Sequence, residues 1–155
     1  DYKYTTAATG TTDADFRGGL TKYNTKSTSG TVDNLTTLEQ ADDAAYVSDN
    51  TCRMPTSGEC QELIDNTTST WETLNGVYGR RFTSKTNGNS IFVPAAGYCD
   101  GESVYLVGSG GDLWSSSLNE SNSKNAWGLC FGSGVVGVYG NVDRYSGLSV
   151  RAVKE

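Results

Sequence analysis

The sequence predicts one strand-rich, turn-rich domain with two helices confined to its first half. Three observations carry that prediction. The chain has 155 residues, enough for one core that buries roughly two thirds of the unfolded surface. It holds 19 glycines, only 2 prolines and 9 tyrosines among abundant Thr, Ser and Asn, a composition of turns and strands rather than of a disordered chain. Finally, one clear helix-start signature precedes residue 60, whereas residues 114–153 alternate apolar and small or polar side chains with the period of two that belongs to strands.

Taken in order, residues 1–33 are Thr, Gly, Ser and Asp with isolated aromatics at Tyr4, Phe16 and Tyr23. They read as an extended arm, most clearly over 1–19, with one short strand around 20–23. Over 34–47 the apolar positions Leu38, Ala41, Ala45 and Tyr46 recur at helical spacing behind Thr36 or Thr37 as caps, which predicts a first helix. Adjacent side chains diverge on a helix, so Asp42 and Asp43 read as a solvated face rather than a metal or catalytic pair. Thr56 and Glu59 have capping-box spacing behind Pro55, so a second helix starts there, with Cys60, Leu63 and Ile64 as its buried stripe. Residues 66–71 read as a polar loop. Asn75-Gly76 is a turn leading into a strand over 77–84, and the apolar run from Ser90 to Tyr98 suggests a strand buried on both faces. Residues 99–111 read as a long loop in which Tyr105 is the one large side chain expected to matter outside the core.

In the C-terminal stretch, Trp127, Leu129, Phe131, Val136, Val138 and Val142 form one row, and Gly128, Cys130, Gly132, Gly137, Tyr139, Asn141 and Asp143 form the other. The first row reads as core. The second reads as an exposed face, and glycine weakens a strand while offering nothing to pack. Such a face has the composition of a contact surface.

Several function classes are disfavoured. A net charge of −6 repels phosphates, and Arg80-Arg81 is the only adjacent basic pair, so nucleic acid is not an expected partner. No apolar run approaches the ~20 residues needed to cross a bilayer. The sequence has no histidine, which removes the usual base of a nucleophilic triad. Gly108-Ser-Gly-Gly lacks the lysine and helix of a phosphate loop. Asp100, Glu102, Asp112 and Asp143 read as solvated loop acids rather than as a glycosidase pair. The spacing of Cys52, Cys60, Cys99 and Cys130 matches no zinc signature, leaving one disulfide or four free thiols. No cofactor is implied, and Trp114 and Trp127 read as core.

Longer motifs carry a resemblance. Arg53-Met-Pro-Thr, Glu62-Leu-Ile, Thr83-Ser-Lys-Thr-Asn-Gly-Asn-Ser-Ile-Phe-Val-Pro-Ala-Ala-Gly-Tyr, Trp114-Ser-Ser-Ser, Ala126-Trp and Arg144-Tyr-Ser-Gly-Leu-Ser-Val-Arg resemble gut-bacterial and phage variable proteins of diversity-generating retroelements. These are related to the "major paralogous domain" group of surface proteins, and the resemblance runs from about Leu20 to the C-terminus. It implies an α+β domain of C-type-lectin-like fold, with two helices, a small twisted antiparallel sheet and long loops. A more distant similarity to the formylglycine-generating enzyme fold brings no recognisable catalytic cysteines. The calcium-ligand motifs of classical lectins are absent. Cys52 and Cys60 stand where relatives often carry Trp, and Cys99 where they often carry Arg.

The resemblance further implies that adenine-directed mutagenesis varies Tyr105, Gly110, Asp112, Gly128, Cys130, Gly132, Gly137, Tyr139, Asn141, Asp143 and Ser146, all reachable from an Asn codon. These are the expected ligand-facing positions of a non-enzymatic adhesion or receptor-recognition module. Its partner would be a protein or glycan on a cell surface, and its location extracellular, cell-surface or on a phage particle. The alternative is a structural or fimbrial-tip domain whose same face meets a fixed protein partner.

Overall fold

A computed structural model describes residues 19–154. The arm expected over residues 1–19, with Tyr4 and Phe16, falls outside the described residues except for Gly19. The domain is α+β, with two α-helices and antiparallel sheets. Strands β2 (Thr67–Leu74), β3 (Val77–Ser84) and β4 (Ser90–Pro94) form one sheet, and β7 (Gly110–Leu118), β8 (Asn125–Gly132) and β9 (Val136–Asp143) form another. Two smaller pairs join β1 (Cys52–Arg53) to β10 (Val153–Lys154) and β5 (Tyr98–Asp100) to β6 (Ser103–Tyr105).

The capping box predicted the second helix correctly. Helix α2 spans Ser57–Asp65, the Thr56 side chain accepts from the Glu59 amide at 3.2 Å, and Glu59 accepts from the Thr56 amide at 2.8 Å. Glu59 also takes both Arg53 terminal nitrogens at 2.7 and 2.6 Å, and this guanidinium holds its carboxyl down to about 2. Cys60 is buried, with Leu63 and Ile64 packed beside it.

The first helix is much shorter than the periodicity predicts. Helix α1 covers only Ala44–Ser48. Residues 36–38 are instead extended against β7, where the Leu118 amide donates to Thr36 O at 2.8 Å and the Leu38 amide to Ser116 O at 3.0 Å. Asp43 is therefore not a solvated side chain. It is buried, caps α1 through the Ala45 and Tyr46 amides, and accepts the Met54 amide at 2.8 Å. Asp42 takes the Lys22 ammonium and the Tyr23 hydroxyl, both at 2.5 Å.

Four further expectations are corrected. Residues 67–74, expected to begin in a polar loop, form β2, paired residue for residue with β3 through the Asn75-Gly76 turn. That turn has both central residues at positive φ, 51° and 81°, the geometry that matches hairpin twist. Its threonines are β-branched strand formers whose polarity suits an exposed face. Strand β4 is a sheet edge on which only Val93 is buried, so it is not covered on both faces. The loop expected over 99–111 contains the β5–β6 hairpin. The strand expected around 20–23 is reduced to a single bridge from Leu20 to Gly30, although Leu20 and Tyr23 are buried.

The sheet β7–β8–β9 is packed on both faces, because adjacent residues of one strand serve different cores. Leu113, Leu129 and Phe131 join Cys60, Phe82 and Val93 under α2, with Val136 and Val138 beside them. Trp114 and Ala126 join Ala45 and Met54 on the other face, with Leu38, Val142, Leu148 and Val150. The chain reaches that second face after β9. The Ser149 amide donates to Asp112 O, the Trp114 amide donates to Ser149 O, and Cys99 and Gly147 exchange backbone bonds at 2.8 and 2.9 Å.

The motif Trp114-Ser-Ser-Ser is a wide irregularity in β7, where Trp114 pairs with Gly128 but Leu118 pairs with Ala126. Its serines, of which Ser115 and Ser116 are buried, are satisfied by β8 and by residues 55–57. Ser115 Oγ donates to Trp127 O at 2.7 Å, the Ser116 amide donates to Pro55 O at 2.8 Å, and Ser117 Oγ accepts the Ser57 amide at 3.1 Å. Arg144 has a similar joining role. It is buried and donates to the carbonyls of Lys22, Tyr23 and Ser123.

Candidate functional site

Seven of the expected ligand-facing positions share one face of the sheet β7–β8–β9. Cross-strand register sets Gly110 beside Gly132, Asp112 beside Cys130 and Gly137, and Trp114 beside Gly128 and Tyr139. Side chains in one such row project from the same face. This is the face that carries the second core, so the row divides into a covered end and an open end.

Gly128 belongs to the covered end. A Cβ there would lie 2.9 Å from Leu113 O, 3.5 Å from Val142 Cγ2 and 3.6 Å from Leu148 Cδ2. Gly128 is buried beneath the segment that returns from β9, and the expectation that it faces a ligand is corrected. Val142 is corrected too. A bulge sets Ala126 opposite Val142 but Gly128 opposite Tyr139, inserting an extra residue that reverses the alternation along β9. Val142 therefore packs in the second core, not with Leu129 and Phe131. Its neighbours Asn141 and Asp143 project from the opposite face to Tyr139, and Asp143 is engaged by Asn125 Nδ2 at 2.8 Å and Tyr145 OH at 3.0 Å. Trp127 lies over Gly140 within that bulge, half-buried rather than in the core.

The open end holds Asp112, Cys130, Gly132, Gly137 and Tyr139, whereas Gly110 is itself buried and the expectation that it faces a ligand is corrected as well. The glycines here are not bare. The Leu106 side chain sits over Gly110, Val135 lies beside Gly132, and the Tyr139 ring lies along Gly137, with its hydroxyl 2.9 Å from where a Cβ would stand. Glycine here accepts a neighbouring large side chain laid flat on the strand, so the expectation that it offers nothing to pack does not hold. Leu106, Val135 and Tyr139 nevertheless remain 52%, 53% and 42% exposed. Asp112 and Cys130 are half-buried in the same row, and this lower ground beside the exposed apolar and aromatic collar is the candidate recess.

Leu106 is held at φ 60°, a left-handed conformation that costs energy in a residue with a side chain. The amides of Ser109 and Gly110 both donate to Leu106 O, at 2.9 and 2.8 Å, and clamp that turn. Leu106, Val107 and Val135 were not among the expected site residues. The signal that could have found the first two is the unbroken apolar run Val104–Val107 inside a stretch otherwise rich in glycine and serine.

Electrostatically, burial pushes the Asp112 carboxyl above its ordinary range, with the Cys130 thiol opposing in part as a hydrogen-bond donor. Burial, then the neighbouring carboxylate, pushes the Cys130 thiol far up, so it stays protonated. Cys60 is pushed up to about 11, chiefly by burial. All four cysteines are free, with Cys60 buried, Cys52 and Cys130 half-buried and Cys99 exposed.

The remaining positions lie apart. Tyr105 is exposed on β6, its ring stacked on Tyr98 at 5.4 Å. Ser146 sits in the turn after β9, its amide donating to Asp143 O at 3.0 Å. Asp100 and Glu102 flank the tip of the β5–β6 hairpin. A separate cleft of about 470 Å³ opens between α2, β4 and the C-terminal segment, lined by Leu63, Ile91, Val93, Leu129 and Val153. It contains none of the expected site residues. Among the described residues no three His, Cys, Asp or Glu side chains converge as a metal site, and no helix is long and apolar enough to cross a membrane.

Fold and site together define an α+β domain with a small-residue sheet face that is half roofed and half open. Comparison with known proteins adds no relative: no family model, no curated protein and no solved structure matches the chain.

Proposed function

We propose that this domain is a binding module of C-type-lectin-like architecture whose open recess recognises a partner on a cell surface, in the manner of a diversified adhesin or receptor-recognition protein. The observation that carries the reading is the collar of Leu106, Val135 and Tyr139 left exposed around a floor of small side chains. Monomeric folds bury such groups where they can, and their exposure beside a recess marks a contact surface. Tyr139 supplies amphipathic area at low conformational cost. The neutral Cys130 thiol favours contact over nucleophilic chemistry. The diversified positions that fit this role are Asp112, Cys130, Gly132, Gly137 and Tyr139, with Tyr105 outside the recess. An extracellular, cell-surface or phage-particle location follows from the same reading.

The run Val104–Val107, with every member exposed, favours a second reading, a structural or fimbrial-tip domain with one fixed protein partner. Adenine-derived substitutions confined to the recess codons, beside a near-identical template repeat, support diversification; unbiased substitution supports the fixed partner. The direct test is the double variant Tyr139→Ala with Val135→Ser, screened against glycan and protein arrays beside wild type and the surface control Val47→Ser. The expected result is loss of the wild-type targets at an unchanged melting temperature. Retained targets with a lowered melting temperature would make the collar structural and sink the proposal.

A further inference from the structure

Resting on that reading, we propose that the recess takes a basic side chain of a protein ligand, its ammonium or guanidinium seated against Asp112 and its hydrocarbon stem against Leu106, Val135 and Tyr139. The other sheltered carboxylates among the described residues all have strong donors. Asp43 accepts three backbone amides. Asp33 accepts those of Tyr23, Asn24 and Leu35. Glu59 meets Arg53 and Glu72 meets Arg81.

Asp112 is the exception. It is half-buried in the middle of β7, yet among the described residues no amide, hydroxyl, ammonium or guanidinium donates to its carboxylate, and the side chain that register sets beside it is the Cys130 thiol. A thiol is a weak donor. A sheltered carboxylate without a strong donor is costly to maintain, and the natural compensation is a cation brought in from outside. Register fixes Asp112 there, because it stands in the row with Cys130 and Gly137, and a mid-strand side chain cannot turn to the other face.

The collar specifies the rest of the ligand. Lysine and arginine carry apolar stems that pack on hydrocarbon while their heads reach a charge, and the Tyr139 ring adds a face attractive to a cation. The surroundings do not compete. Asp100 and Glu102, on the neighbouring hairpin, have no basic partner among the described residues, and the described ion pairs involve Lys22, Arg53 and Arg81 elsewhere. With a net charge of −6, the domain also attracts basic ligands over longer range.

The test uses an array of octapeptide pools, randomised except for a central Arg, Lys, citrulline, Gln or Glu, probed with the whole chain. Wild type should retain the Arg and Lys pools at least about tenfold over the citrulline and Gln pools, the loss expected when a sheltered charge pair is broken. Asp112→Asn should abolish that preference at an unchanged melting temperature, and Asp100→Asn should keep it. In wild type alone, with no variant needed, retention of the Arg pool should fall as pH drops through the raised Asp112 pKa. Equal retention of Arg and citrulline pools, absence of retention in every pool, or a preference that survives Asp112→Asn would overturn the proposal. Binding of neutral pools or glycans that Tyr139→Ala removes would overturn the basic ligand but leave the binding module standing. Binding indifferent to both Asp112 and Tyr139 would overturn both.

Discussion

The division of the glycine row into covered and open ends can be tested by adding one methyl group at each. In Gly128→Ala the new Cβ stands 2.9 Å from the Leu113 carbonyl oxygen, with Val142 and Leu148 at 3.5 and 3.6 Å. The closest atom is backbone in a paired strand, so relief requires the β7–β8 ladder to move. Overpacking of this kind costs about 1–3 kcal/mol, offset by about 0.5–1 kcal/mol from the lower chain entropy of alanine. The net loss, up to about 2.5 kcal/mol, lowers the melting temperature by up to about 10 °C in a domain of this size. In Gly132→Ala the nearest atoms are Ser109 O at 3.4 Å and Val135 Cγ1 at 3.8 Å, ordinary contacts. Only the entropic gain operates there, and the melting temperature should hold or rise. Thermal melts of the two variants and wild type, in one buffer and at one scan rate, read the difference directly. A Gly128→Ala melting temperature at or above wild type, or an equal fall in Gly132→Ala, would refute the division of the face. If it stands, substitution at position 128 is limited by the fold, while position 132 tolerates a side chain.

Two further outcomes follow from the helix ends. Asp43→Ala removes the α1 cap and strands the Met54 amide, and should destabilise by about 1–3 kcal/mol in urea titration, whereas the same change at exposed Asp65 should cost well under 1 kcal/mol. Glu59 has a folded-state pKa held down to about 2 by Arg53, so its contribution is present above its unfolded value of about 4.3 and lost as pH falls toward 2. Melts across that window should show the loss in wild type and a smaller slope in Glu59→Gln; identical slopes would remove Glu59 from the acid response.

What was legible in the sequence was local. The capping box at Thr56 and Glu59 specified the start of α2, because both partners lie within one helical turn. Asn75-Gly76 specified its hairpin by backbone preference alone. The alternation of Leu129 and Phe131 with Gly128, Cys130 and Gly132 specified which side chains share a face of β8. The helical spacing of Leu38, Ala41 and Ala45 was equally local and misled, since the Ser115–Ser117 irregularity of β7, more than seventy residues away by sequence, offers residues 36–38 backbone partners that a helix would have to give up. Asp43 belonged to the same error, its burial being set by Met54 rather than by its neighbours.

Sequence by itself therefore determined the strand and helix vocabulary, the acidity of the domain and the composition of a candidate face. Tertiary structure decided which part of that face is open. One bulge between Trp127 and Gly140 turns Val142 inward and Asn141 and Asp143 away, and the return of residues 147–150 roofs Gly128 while leaving Asp112 and Cys130 half-buried and Tyr139 exposed. Period two records only alternation between two sides of a strand. Which side meets water depends on what else packs there, and that is a property of chain segments far apart in sequence.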